Sequence, residues 1–85
     1  MRRAAKVDAN HQAIRSALRR CGWKVIDLSR AGNGVPDLLA LKGESLRLVE
    51  VKSDKGKLTA WQALLQLEGW PIHILRSVDD AIALR

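Results

Sequence analysis

The stretch "GVPDLLALKGESLRLVEVK", Gly34–Lys52, decides the fold. Two apolar runs, 37–42 and 45–52, flank Gly43-Glu44, a pair that suits a two-residue hairpin turn with glycine first. The runs therefore read as antiparallel strands. Charge stands where a buried strand should be apolar: Asp37 opens the first run, and Glu50 and Lys52 close the second. With Gly43 and Glu44 as the whole turn, Lys42 pairs with Ser45, Leu41 with Leu46, Leu39 with Leu48 and Asp37 with Glu50. Opposed residues share a face, their Cβ atoms roughly 4.5–5.5 Å apart. Lys52, two residues beyond Glu50, projects from that same face. The turn thus collects two carboxylates and an amine in one place.

Working outward, residues 8–21, "DANHQAIRSALRRC", carry a helical apolar stripe of Ala13, Ile14, Ala17, Leu18 and Cys21. Asp8 suits the N-cap and Gly22 the C-terminal stop. "WKVIDL", 23–28, reads as a strand and "SRAGNGV", 29–35, as a glycine-rich loop. After the hairpin come a loop, 53–57, a second helix over 58–70, a strand over 71–75, and a short last helix over 77–85 opened by a serine cap. The segment between the third and fourth strands has the length of a right-handed parallel crossover. The expected fold class is α/β, a mixed four-stranded sheet flanked by helices in the order α-β-β-β-α-β-α. One domain is expected over residues 1–85, with 1–7 a flexible basic N-terminus.

Composition bounds the function. Apolar residues make up 47% of 85, which argues against disorder. No apolar run approaches the roughly 20 residues of a membrane span, and "MRRAAKV" leads into no apolar stretch, so neither a membrane segment nor a signal peptide is expected. The single cysteine, Cys21, excludes an internal disulfide and fits a reducing, cytoplasmic setting. The net charge of +6 and a pI near 10.3 suit a polyanionic partner.

Opposed like charges destabilise a sheet, so something should compensate Asp37 and Glu50. A divalent cation does so, since Mg²⁺ takes carboxylates and keeps several waters. The backbone carbonyl of Val51 is placed to join them. Lys52 then lies beside a metal-bound water or a phosphate, where it orients the water or stabilises charge on a transferring phosphoryl group. Carboxylates, metal and lysine next to a basic surface make a phosphodiester-cleaving site. The plainer alternative is structural, with Asp37 bonding loop amides and Glu50 and Lys52 forming a same-face ion pair at a strand end.

"PD" at 36–37 followed by "EVK" at 50–52 resembles the PD-(D/E)XK nuclease superfamily. "GNGVPDLLAL", "LVEVK" and "LTAWQ" at these spacings resemble its VRR-NUC (virus-type replication-repair nuclease) family over about residues 8–81. The resemblance implies a restriction-endonuclease-like core and a Mg²⁺- or Mn²⁺-dependent endonuclease. It implies Asp37 and Glu50 as metal ligands, Lys52 as the catalytic lysine and a role for Gln62, and a bacterial or phage-infected cell as the setting. One departure stands out. The family usually carries an acid on the first helix where this chain has His11, leaving His11 to reach a metal only through a water and putting a second metal in doubt.

Candidate DNA contacts are Arg15 and Arg19 on the first helix, Arg30 with Gly32 and Gly34 in the loop, and Lys55 and Lys57 after the third strand. Solvated arginines and lysines and ordinary turn glycines are the plain alternatives. Leu58, Trp61, Leu64, Leu65 and Leu67 cover more of the second helix than one core-facing stripe needs. That excess is expected to bury in a two-fold homodimer. The leading expectation is structure-specific cleavage of branched DNA such as four-way junctions. The alternatives are a nuclease of the same fold with a nicking or single-strand target, and a non-catalytic DNA-binding module.

Overall fold

The computed structural model describes residues 4–85. Its elements are α1 (Ala4–Arg20), β1 (Lys24–Asp27), β2 (Leu38–Lys42), β3 (Ser45–Val51), α2 (Ala60–Leu67), β4 (Ile72–Leu75) and α3 (Val78–Ala83). One sheet runs in the order β1-β2-β3-β4, with the first three strands antiparallel and β4 parallel to β3. The α/β class, the mixed sheet and the element order match the sequence reading.

The hairpin register also matches it: Lys42 pairs with Ser45, Leu41 with Leu46 and Leu39 with Leu48. Gly43 takes φ +61°, the left-handed conformation that the first position of such a turn requires. The ladder itself opens at Leu38 rather than Asp37. Pro36 has no N–H to give it, while the Asp37 C=O still accepts from Leu28 N–H at 2.7 Å, one residue beyond the Asp27–Leu38 pair on the β1 side.

Element ends depart from expectation for local reasons. α1 begins at Ala4, so Asp8 lies inside the helix and does not cap it. Of the segment 1–7 expected to be flexible, 4–7 belong to α1 and 1–3 lie outside the described residues. Gly22 does end α1: Trp23 N–H bonds Leu18 C=O and Gly22 N–H bonds Arg19 C=O, with Gly22 at φ +96°. α2 is shorter than 58–70, because Thr59 caps its start and Gly69, at φ +99°, stops its end in the same way.

α1 and α3 cover one face of the sheet. Ile14, Ala17, Leu18, Leu38, Ala40, Val49, Leu75 and Ala81 are buried there together with Trp23. Ala13, placed on the apolar stripe, is exposed. The opposite face carries Ile26, Leu41 and Leu46, which are 59%, 39% and 56% exposed. α2 shelters only part of it, over an apolar-lined cavity between Leu48, Leu65, Trp70 and Ile72. No residue of α2 is buried, and Leu67 is 85% exposed. No helix among the described residues is long and apolar enough to cross a membrane.

Candidate active site

The register that pairs Leu38 with Val49 sets Asp37, one residue before, across from Glu50. Asp37 Oδ2 accepts from Val51 N–H at 2.9 Å, so a carboxylate takes the place of a ladder carbonyl. In an extended strand a residue's N–H and C=O point to the same edge. The Val51 carbonyl, on that rule, points to the Asp37 edge as well.

Glu50 is 3% exposed. Its Oε2 accepts from Gln62 Nε2 at 2.7 Å and lies 3.7 Å from Lys52 Nζ. Its Oε1 is buried with no hydrogen-bond partner. Burial, and then the Asp37 charge, raise the Glu50 carboxyl to about 7, against the opposing pull of Lys52. The arrangement is one positive charge short. Two carboxylates and a main-chain oxygen are hard donors of the kind that Mg²⁺ and Mn²⁺ accept, and the buried Glu50 Oε1 has no partner of its own. The donor set is small: among the described residues, no three His, Cys, Asp or Glu side chains gather.

Gln62 is held by its own helix start. Its Oε1 accepts from Thr59 N–H at 2.9 Å, and its N–H bonds Thr59 Oγ1 at 3.2 Å, a reciprocal capping box. The side-chain amide is thereby oriented with its NH₂ toward Glu50. Lys52 is fixed through its backbone. Its N–H bonds Leu75 C=O at 3.1 Å, and its C=O accepts from Asn10 Nδ2 at 2.9 Å. The turn after it is tied by Arg76, whose Nη1 bonds the carbonyls of Ser53 at 2.8 Å and Gly56 at 2.7 Å. Asn10, His11, Asp37, Lys52 and this turn enclose a cleft of about 360 Å³.

Asn10 and Arg76 went unassigned in the sequence. Asn10 did carry a signal: it precedes the buried Ile14 by one helical turn and so shares the inward face. Arg76 carried none, since its partners are 20 and 23 residues away.

The remaining candidates separate. His11 is buried beside the cleft, with Nε2 3.7 Å from Asp27 Oδ2. Arg15 is paired to Asp27 at 2.6 Å, and Arg19 reaches Val25 C=O at 3.5 Å. Arg30, Lys55 and Lys57 are exposed, and Gly32 faces open space. Gly34 has a packing reason to be glycine: a Cβ there would lie 2.5 Å from the Trp61 Cβ. No protein-family model matches the chain, and no curated protein or solved structure matches it either.

Proposed function

We propose that the chain is a metal-dependent endonuclease of the PD-(D/E)XK type, cutting DNA and acting on branched forms such as four-way junctions. The observation that carries this reading is Glu50: a buried carboxylate set against Asp37, with one oxygen unpartnered and an ammonium 3.7 Å from the other. Asp37, Glu50 and the Val51 carbonyl would hold Mg²⁺ or Mn²⁺. Such an ion supplies Lewis acidity toward a phosphodiester oxygen and a more acidic water.

The chain's own residues do the rest. Lys52, fixed by Asn10 and Leu75, positions the water or meets charge developing on the phosphoryl oxygens. Gln62 keeps Glu50 in one rotamer. The basic surface draws the polyanion in. The exposed apolar side of α2 supports a homodimer, which would present two such sites to one branched substrate.

A second reading, a DNA-binding module that does not cut, draws on the same network. Lys52, Glu50 and Gln62 already satisfy one another in part, as a structural cluster would. The decisive experiment incubates the protein with linear, flap, splayed, single-stranded and four-way DNA in Mg²⁺, Mn²⁺ or chelator. Cleavage that requires metal and is lost in Asp37→Asn and Glu50→Gln, with DNA binding retained, supports the nuclease. Binding without cleavage in every metal supports the module.

A further inference from the structure

The cleft beside the carboxylates has a neighbour. His11, Gln12, Arg15, Asp27, Ser29 and Arg30 line a second cavity of about 360 Å³, and His11 borders both. The one carboxylate there is already engaged. Asp27 Oδ1 accepts from Ser29 N–H at 2.8 Å and from Ser29 Oγ at 2.5 Å, and Oδ2 takes the Arg15 guanidinium at 2.6 Å. The Ser29 bonds hold the Asp27 carboxyl below its ordinary value.

Beside Asp27 and Ser29, the lining is rich in donors. Arg15 bonds Asp27 through Nη1 and has further N–H groups. Arg30 adds a second guanidinium and Gln12 an amide. His11 is 6% exposed, and its Nε2 is buried with no hydrogen-bond partner. It lies 3.7 Å from Asp27 Oδ2, beyond hydrogen-bond reach, so in the tautomer that carries its proton on Nε2 that donor is unmade. A buried donor left unmade costs about 1–3 kcal/mol, which an anion entering the cavity would recover. Two guanidinium groups against one carboxylate leave a net positive charge, and the planar guanidinium fork matches phosphate oxygens.

We propose that this cavity seats a backbone phosphate of the nucleic-acid strand, next along from the phosphate being cut, with His11, Arg15 and Arg30 as its donors. The assignment rests on the nuclease reading for its substrate, while the anion site itself does not. It gives His11 a task at the position where a related nuclease would carry an acid: gripping the strand rather than binding a second metal.

Two measurements test it. Inorganic phosphate is titrated into metal-free, isotopically labelled protein and the side-chain nitrogens are followed by NMR. A saturable shift at His11 Nε2 is expected, much reduced in Arg30→Gln, whose exposed position leaves the fold intact. No shift at His11, or an unchanged shift in that variant, overturns the site. Next, a single neutral methylphosphonate is walked along a cleavable strand. One position adjacent to the cut should slow the parent about tenfold, the scale of one lost phosphate contact, and slow Arg30→Gln far less. Equal penalties in both proteins overturn the assignment. A protein that binds phosphate at His11 yet cuts no DNA keeps the anion site and loses the nuclease reading. A protein that cuts DNA without phosphate at His11 does the reverse.

Discussion

Glu50 holds its proton more tightly in the folded chain than in the unfolded one, because burial and Asp37 both disfavour its charge. The sign of the linkage follows. Its folded value is raised from 4.5 to about 7, so its contribution to stability is fully present below 4.5 and is lost as pH climbs through 7. Thermal unfolding of the metal-free protein should therefore show a melting temperature that falls between these pH values, and Glu50→Gln should flatten that fall. A parent curve that rises over the same interval would contradict the electrostatic account of the pair. Lys52→Ala should slow single-turnover cleavage by about 10²-fold or more while DNA affinity stays near the parent's, since the amine acts on charge that develops only in the transition state. A rate within twofold of the parent's would remove Lys52 from the chemistry. Asp37, Glu50 and Lys52 were legible in the sequence because a two-residue turn fixes register by counting. Asn10 and Arg76 were not, because they meet their partners through tertiary packing across 42 and 20 or more residues.

At the scale of elements, what the sequence made plain was type and order, and what it hid was where each element stops. Asp8 had the chemistry of a cap, yet the helix runs past it to Ala4. The apolar period cannot show that Thr59, not Leu58, starts α2, because the capping box is a matter of side-chain geometry. That box has a functional reach, since the Gln62 amide that satisfies Thr59 also bonds Glu50. Thr59→Ala should cost about 1 kcal/mol of stability, while Gln62→Ala, which removes the amide itself, should also loosen Glu50, visible as a changed hold on Mn²⁺ in calorimetry. The joint between the loop and α2 is tighter still. Gly34 sits at φ +79° with Trp61 where its side chain would be. Gly34→Ala should destabilise by roughly 1–3 kcal/mol, from strain in the left-handed region and the forced shift of the helix. Denaturant unfolding reads this directly, and a midpoint equal to the parent's would mean that the loop and helix are not packed as described.

For the molecule as a whole, a four-stranded sheet with α1 and α3 on one face and α2 on only part of the other leaves Ile26, Leu41 and Leu46 exposed there, as it leaves Leu64 and Leu67 of α2. Such a surface on an 85-residue chain suits burial against a second copy. Light scattering at micromolar concentration should give twice the 9.4 kDa chain mass, falling toward one chain in Leu67→Glu. A single-chain mass with and without DNA would refute the dimer. The open face was foreseeable only in part: the excess of leucine on α2 showed in the sequence, but which strand residues it would fail to cover depended on how the helix lies. The β2–β3 hairpin has a further consequence, in time rather than space. Asp37, Glu50 and Lys52 sit on one short hairpin, while Asn10 must return across 42 residues to meet Lys52. Local contacts close in microseconds, and distant ones bear the larger loop-closure entropy. The acidic pair should come into register early in folding, before the first helix docks. Pulse-labelled hydrogen exchange should then protect the Val51 amide, bonded to Asp37, ahead of the amides of α1. A nascent chain would thus carry the unneutralised acidic pair before its packing is complete, and divalent ions in the refolding buffer should speed the hairpin's closure.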